Sequence, residues 1–309
     1  MTDTSTRKQQ LTSYALLTIG AFIWGSAFIS QKVGMDYLGA LAFNGIRNLI
    51  GTSVLIPVIL ILDKKKKPEL LKAEKKNKKV LIKSGVICGI LLAAASTSQQ
   101  YALKYTTIGK VSFITTLYMI FVPIIGFFLG KKFRWILWIS AILASAGMYI
   151  LCLKRGEGFA LSKGVLLAFL CAVLFAFQIL ALDKYTPMVN AVKLACIQFF
   201  VCGLICCSLM LVFENPTFSD VKNAAVPLLY AGVLSTGVAY TFQAVGQKHA
   251  NPVMATIIMS LESVFALIVG WIVLKERMTA RELTGCLIIF AGVLLTQLPE
   301  RKKKEIKEI

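Results

Sequence analysis

The amino-acid sequence predicts an all-α integral membrane protein of ten transmembrane helices, arranged as two inverted repeats of five helices each. Three observations predict this fold: the composition, ten apolar runs and an internal repeat. The chain has 309 residues, is 57% hydrophobic and has a mean hydropathy of +0.74. Because an ordinary soluble domain is much less apolar, we expect most of this chain to lie in a bilayer.

Ten apolar runs are each close to the length of about 20 residues that a helix needs to cross a bilayer. They lie at 12–31, 41–62, 84–103, 108–130, 134–153, 164–183, 191–213, 225–247, 252–274 and 281–298, and are named spans 1 to 10 below. We predict a tail at 1–11, a linker at 154–163 between two sets of five spans, and a basic tail at 299–309.

The positive charge of the chain indicates its topology. The net charge is +19, and the loop 63–83 between spans 2 and 3 holds ten lysines. Cytoplasmic loops carry an excess of Lys and Arg. With the N-terminus in the cytoplasm, 23 of the 34 Lys and Arg lie on the inner side and 10 on the outer side. We therefore predict the cytoplasmic membrane, with both termini inside, and expect the lipid bilayer rather than nucleic acid as the partner of these charges.

The chain repeats itself internally. Sliding 97–131 by 144 positions onto 241–275 gives nine identities in 35 ungapped positions, Phe121 with Phe265 among them. This similarity predicts duplicated units at 12–153 and 164–298. Since each unit has an odd number of spans, the second unit enters the membrane in the opposite sense. Inverted repeats are typical of secondary transporters, which bind substrate near the bilayer midplane.

One carboxylate marks the centre of span 9. Glu262 is the only charge in 252–274. An ionised carboxylate at this depth is unfavourable, so we expect Glu262 to face protein or a water-filled cavity, or to be protonated. Tyr118 is its counterpart in span 4, with Thr115 and Thr116 beside it. We predict that Tyr118 and Glu262 face each other across the centre; the alternative is a buried glutamate satisfied by helix hydroxyls.

Aromatic and polar side chains near the middle of other spans extend this candidate site. Under an offset of 151, Trp24 in span 1 corresponds to Phe175 in span 6, and Ser26 and Gln178 lie within three residues of this pair. Aromatic walls with a few polar groups suit an amphipathic ligand. Simple packing of the aromatic rings is the alternative.

Two polar stripes follow the helical period in spans 8 and 3. In span 8, Tyr240 and Gln243 share one face with Thr236, and in span 3 Gln100 shares a face with Ser96. These stripes either line a pathway or reflect the ordinary polarity of residues near span ends.

Arg47 is the only charge within span 2. Three interpretations are open: its side chain reaches the outer surface, it pairs with Glu262, or it holds a substrate carboxylate. Gln198 takes the corresponding place in span 7.

Four stretches resemble a known family. They are AFIWGSAFISQKV in span 1, AVLFAFQILALDK in span 6, QQYALKYTTIGKVSFITTLYMIFVPIIGFFLG in spans 3 and 4, and QKHANPVMATIIMSLESVFALIVGWIVLKERM in spans 8 and 9. With the layout of five plus five spans, they resemble the EamA family of the drug/metabolite transporter superfamily. Ser263 stands where many relatives have proline, so a kink in span 9 is not expected from this motif, whereas Pro123 offers one in span 4.

The resemblance implies a secondary transporter that exports small metabolites such as amino acids. We hypothesise that it alternates access by rocking one repeat against the other about the central cavity. Glu262 would couple this movement to protons if it is protonated when buried; a facilitator is the alternative. A multi-pass enzyme acting on lipid-linked substrates and a non-transporting scaffold or sensor are the competing classes. The sequence has no HExxH, GxSxG or complete phosphate-binding loop. We expect no enzyme activity, no cofactor and no metal, a small-molecule substrate, and a monomer or homodimer.

Overall fold

The computed structural model describes residues 2–106, 108–131, 135–152, 162–274 and 280–296. Within these ranges all regular structure is helical and no strand occurs. Six helices have the length and hydropathy of a membrane span, and four shorter apolar helices accompany them. The predicted all-α membrane fold is therefore confirmed. The tail 299–309 and most of the linker 154–163 lie outside the described residues.

The helices of the first half differ from the apolar runs: those of spans 1 to 3 extend beyond them, and those of spans 4 and 5 do not. They are Thr2–Gly34, Ala40–Lys64, Lys78–Tyr105, Ile108–Thr116 with Tyr118–Phe128, and Trp135–Cys152 for spans 1 to 5, and Pro68–Lys76 in the loop after span 2. The segments predicted as a tail at 1–11 and a loop at 63–83 are thus largely helical. Hydropathy detects the apolar run, whereas Lys, Glu and Leu continue a helix past it because their helix propensity is high.

The second half contains two interrupted spans. Its helices are Lys163–Tyr185, Ala191–Phe213, Ala225–Gly246, Pro252–Met259 with Leu261–Leu274, and Ala280–Thr296 for spans 6 to 10, and Phe218–Asn223 before span 8. The middle of span 8, Tyr230–Tyr240, is a π-helix.

Packing is symmetric under exchange of the halves. Span 1 packs on spans 8 and 9, as span 6 packs on spans 3 and 4; spans 2 and 7 pack on each other, and so do spans 5 and 10. A Cβ at Gly89 would lie 2.9 Å from the carbonyl oxygen of Gln198, and one at Gly232 would lie 3.1 Å from that of Arg47. Because Gln198 and Arg47 correspond under the offset of 151, the two halves use glycine for the same close approach.

Spans 4 and 9 break within one residue of equivalent positions. Span 4 is interrupted at Leu117, and span 9 at Ser260. Pro123, where a kink is expected, lies inside the helix Tyr118–Phe128. Two hydroxyls that correspond under the offset of 144 bond to the preceding turn. Thr116 Oγ1, just before the break in span 4, donates to Ser112 O at 3.1 Å, and Ser260 Oγ, at the break in span 9, donates to Ile257 O at 2.7 Å. Such bonds compete with the backbone ladder and bend helices. The breaks place Tyr118 and Glu262 at the start of new helical segments.

Candidate functional site

A cavity lies at the centre of the bundle, next to both helix breaks. Spans 1, 2, 3, 4, 6, 8 and 9 all contribute described residues to its wall. Its volume, about 40 Å³ of space open to water molecules, holds roughly three waters. A larger solute therefore requires the walls to move apart.

Eight of the twelve residues predicted for the site line this cavity. They are Trp24, Arg47, Thr115, Tyr118, Phe175, Tyr240, Gln243 and Glu262. They come from six different spans of both halves, so the fold brings together side chains that are far apart in the sequence. The Trp24 and Tyr240 rings meet edge to face with centroids 4.7 Å apart.

Two predicted residues point elsewhere. Ser26 Oγ lies 2.5 Å from the hydroxyl of Tyr230 and also bonds to the backbone of its own helix. Thr116 donates to Ser112 O within span 4. Both hydroxyls are used in helix contacts rather than in the cavity wall.

Two predicted glutamines lie behind the wall. Gln178 donates to Gln198 at 3.4 Å and accepts from Gln243 at 3.5 Å. Gln100 donates to the backbone carbonyl of Gln31 at 3.2 Å. These glutamines support Gln243 and Gln31, which reach the cavity.

The prediction missed six residues that line the cavity. They are Phe28, Gln31, Gln99, Ile179, Ser235 and Met259. Phe28 and Gln31 follow Trp24 at helical spacings of four and seven, and Ile179 corresponds to Phe28 under the offset of 151, so a signal for these three was present in the sequence.

Ser235 was missed because span 8 is not a regular α-helix there. The α-helical period from Tyr240 selects Thr236, but in the π-helix the matching neighbour is five residues away, which is Ser235. Trp24 Nε1 donates to the carbonyl of Ser235 at 3.3 Å. The π-helix thus supplies a backbone acceptor at the cavity wall, and Thr236 turns towards Gly51 of span 2.

Glu262 and Tyr118 lie deep in the bundle with unused hydrogen-bonding atoms. They are 6% and 4% exposed, and Glu262 acts electrostatically on the Tyr118 hydroxyl. Glu262 Oε1 and the Tyr118 hydroxyl have no hydrogen-bond partner among the described residues. This oxygen of Glu262 is therefore not satisfied by a helix hydroxyl.

Five side chains of the cavity wall carry a buried polar atom without a partner in the described part of the chain. They are Gln31, Arg47, Tyr118, Gln243 and Glu262. Buried polar atoms are almost always hydrogen-bonded, to water when the protein offers no partner. Their convergence on one cavity makes this cavity the candidate functional site.

At one end of spans 2 and 7, Glu214 joins the two halves. Its carboxylate accepts from the backbone N–H groups of Leu41 at 3.1 Å and Ala42 at 2.8 Å, and from the Tyr101 hydroxyl at 3.3 Å. A carboxylate at a helix N-terminus satisfies free N–H groups and interacts favourably with the helix dipole. Glu214 of span 7 therefore caps span 2; we call this contact the capping latch.

At the other end of the same two spans, four charges form a closed ring. Lys66 lies 2.9 Å from Asp63 and 2.7 Å from Glu74, and Lys193 lies 2.7 Å from Asp63 and 2.8 Å from Glu74. Asn190 donates to Glu74 at 3.1 Å. We call this ring the lysine latch. Asp63 and Glu214 correspond under the offset of 151. Asp63, at the end of span 2, contacts the start of span 7, and Glu214, at the end of span 7, contacts the start of span 2.

The lysine latch predicts a pH dependence of stability. Desolvation by burial acts to raise the pKa of Glu74, but hydrogen bonds from Lys193, Lys66 and Asn190 outweigh it and lower this pKa below its ordinary value of 4.5. Likewise, against desolvation, Glu74 and Asp63 raise the pKa of Lys66 above 10.5. A carboxyl group whose pKa is lowered by folding stabilises the fold above pH 4.5, and this stabilisation is lost as the pH falls through the pKa of the folded state. A lysine whose pKa is raised by folding stabilises the fold below pH 10.5, and this stabilisation is lost as the pH rises through the pKa of the folded state.

We therefore expect acid below about pH 4.5 to lower the melting temperature of the wild type more than that of Glu74→Gln. The measurement is thermal unfolding in detergent between pH 7 and 3.5. Parallel pH curves for the two proteins would show that the ring adds no stability.

The two halves each match one known family. Residues 11–153 and 162–298 match the profile of the EamA-like transporter family. The chain belongs to this family. The resemblance found in the sequence is thereby confirmed, and the protein is a multi-pass membrane protein of a transporter family.

Curated relatives agree with the family. An uncharacterized transporter of Archaeoglobus fulgidus is 29% identical over 91% of this chain and 84% of its own length. The uncharacterized transporter YoaV of Bacillus subtilis is 25% identical over 91% of this chain and 95% of its own length. A solved crystal structure superposes with a TM-score of 0.74 over 92% of this chain and 96% of that chain, at 15% identity. At this identity the likeness shows a shared fold.

Proposed function

We propose that this EamA-family protein is a secondary transporter that exports small metabolites, such as amino acids or related compounds, across the cytoplasmic membrane. The observation that carries the proposal is the small central cavity, in which polar atoms of both halves have no protein partner. It lies where inverted repeats place their substrate site. The lysine latch faces the cytoplasm in this proposal, together with both termini.

Packing indicates which helices would move together. Span 1 packs on spans 8 and 9 and span 2 on span 8, and in the same way span 6 packs on spans 3 and 4 and span 7 on span 3. Spans 1, 2, 8 and 9 thus form one set and spans 3, 4, 6 and 7 another, and the contact between spans 2 and 7 joins the two sets. We call these sets group A and group B. Each group contains spans from both repeats, so the expectation that one repeat rocks against the other does not match this packing. Rocking of group A against group B opens the cavity, which lies between them.

The two latches fit this motion because both join group A to group B. The capping latch links Glu214 of span 7 to the start of span 2, and the lysine latch links Asp63 of span 2 to Lys193 of span 7. Both are closed in this structure, which agrees with the small volume of the cavity. In the proposed cycle one latch opens while the other stays closed, so that the cavity opens to one side at a time.

The function is tested by a toxicity-rescue screen. Cells that express the chain are challenged with a panel of amino acids and toxic analogues, and flux of each protective compound is then measured in proteoliposomes. We expect at least one compound to be less toxic to expressing cells and to cross the membrane only when the protein is present. A panel in which nothing protects and nothing is transported would contradict the proposal.

A further inference from the structure

Arg47 is a buried cation without a counter-ion. Its side chain is 2% exposed and lines the central cavity. Among the described residues, no hydrogen bond or salt bridge to its guanidinium is formed, and its Nε has no partner. The one ring contact places Cζ 5.9 Å from the centroid of Phe43. Its charge acts electrostatically on Tyr240, Cys202 and Cys206, none of which bonds to it in the described part of the chain.

Two of the three interpretations of Arg47 do not match the structure. A side chain that is 2% exposed does not reach the outer surface. Nor does it pair with Glu262, since no nitrogen of Arg47 lies within 4.0 Å of a Glu262 oxygen in the structure as described. The remaining interpretation is that Arg47 meets an anion that enters the cavity.

The unpaired charge of Arg47 and the shape of its guanidinium group indicate which anion it binds. An arginine keeps its charge at all ordinary pH values, and a buried charge without a partner is unfavourable. The planar guanidinium forms paired hydrogen bonds with a carboxylate. Gln198, its counterpart in the other half, is neutral and bonded to Gln178, so the positive charge is on one side of the site only.

Glu262 places an acid at another part of the cavity wall. Tyr240 interacts electrostatically with both Arg47 and Glu262. A solute with a carboxylate and an ammonium group can therefore meet a cation and an acid in the same cavity, whose wall also includes Tyr240.

We propose that Arg47 binds the carboxylate of the transported solute and thereby limits the substrates to carboxylate-bearing metabolites. This inference rests on the proposed function. Arg47 is then a specificity-determining residue, and loss of its charge-assisted hydrogen bonds should weaken binding of such a solute by about 10- to 100-fold.

The test compares each amino acid with its amide, in which an uncharged carboxamide replaces the carboxylate. Thermal unfolding of the purified chain in detergent is measured with the 20 proteinogenic amino acids and with their amides. We expect at least one acid to raise the melting temperature while its amide has no effect. Equal shifts for acid and amide, or no shift with any acid, would overturn the proposal without the need for a variant.

Variants then assign the effect to Arg47. Arg47→Gln should lose the shift and Arg47→Lys should keep part of it, because lysine retains the charge but not the planar fork. The matched control is Arg281→Gln, which removes a partly exposed arginine at the start of span 10 and should keep the full shift. A full shift in Arg47→Gln would overturn the assignment.

Flux measurements in proteoliposomes distinguish a failure of the role proposed for Arg47 from a failure of the proposed transport function. Binding that depends on the carboxylate but gives no flux would contradict the transport function and leave Arg47 as the anion-binding residue. Equal flux of an acid and its amide would support transport and overturn the role of Arg47.

Discussion

Glu262→Gln is expected to lower the flux of a transported solute in proteoliposomes at least about tenfold and to remove its dependence on a pH gradient. Glu262 is the only acid in the described part of the cavity wall, and its Oε1 has no hydrogen-bond partner there. Glutamine has the same shape but neither binds nor releases a proton, so any proton carried by this side chain is no longer moved. The measurement is initial flux with and without an imposed gradient.

The control for this substitution is Glu69→Gln, which changes an exposed acid in the loop helix Pro68–Lys76. It should leave both the flux and its gradient dependence unchanged. If Glu262→Gln keeps the gradient dependence of the wild type, Glu262 does not carry the proton. A wild type without any gradient dependence would make the protein a facilitator.

Gly25→Ala is expected to lower the free energy of unfolding by about 1–3 kcal/mol, and Gly25→Leu to prevent correct packing. Gly25 lies where span 1 crosses span 9. A Cβ here would overlap the carbonyl oxygen of Glu262 and would lie 2.8 Å from both Ala266 N and Phe265 Cβ. Because two of these three neighbours are backbone atoms, relief requires the two spans to separate next to the cavity.

Gly20 provides a matched control in the same helix. A Cβ at Gly20 would meet only Ala239 O, at 3.5 Å, an ordinary contact. Since alanine favours a helix over glycine by about 1 kcal/mol, Gly20→Ala should be neutral or stabilising. Thermal unfolding of both variants measures the difference. Equal shifts would show that the close approach at Gly25 contributes nothing to packing.

The internal repeat made the central part of the site predictable. The offset of 144 paired Tyr118 with Glu262, and the offset of 151 paired Trp24 with Phe175; all four line the cavity. The reason is physical: a duplicated unit places equivalent side chains at equivalent depths, and Glu262 had to find a polar environment at its depth.

The local backbone could not be predicted in the same way. The breaks at Leu117 and Ser260 and the π-helix in span 8 leave the apolar pattern unchanged, because hydroxyl-to-backbone bonds and tertiary packing determine them. An α-helical period was therefore applied to span 8, which selected Thr236 instead of Ser235.

Which spans are neighbours in the bundle could not be predicted from the sequence either. Hydropathy identifies a span but not its neighbours, so the mixing of both repeats in groups A and B could not be anticipated. Glu214, at the end of span 7, has the position of an ordinary interfacial acid. Its match with Asp63 under the offset of 151 was the available signal for the latches.

Alternating movement of groups A and B is tested most directly by distances across the two latches. Spin labels at Tyr37 and Phe213 flank the capping latch, and labels at Lys65 and Met188 flank the lysine latch; all four positions are exposed. The labels are placed in a variant whose eight cysteines are replaced, and pulsed electron paramagnetic resonance measures each pair. We expect Glu214→Gln to lengthen the first distance only and Asp63→Asn the second only. If either substitution lengthened both distances, or neither changed any distance, the two-latch account would be contradicted.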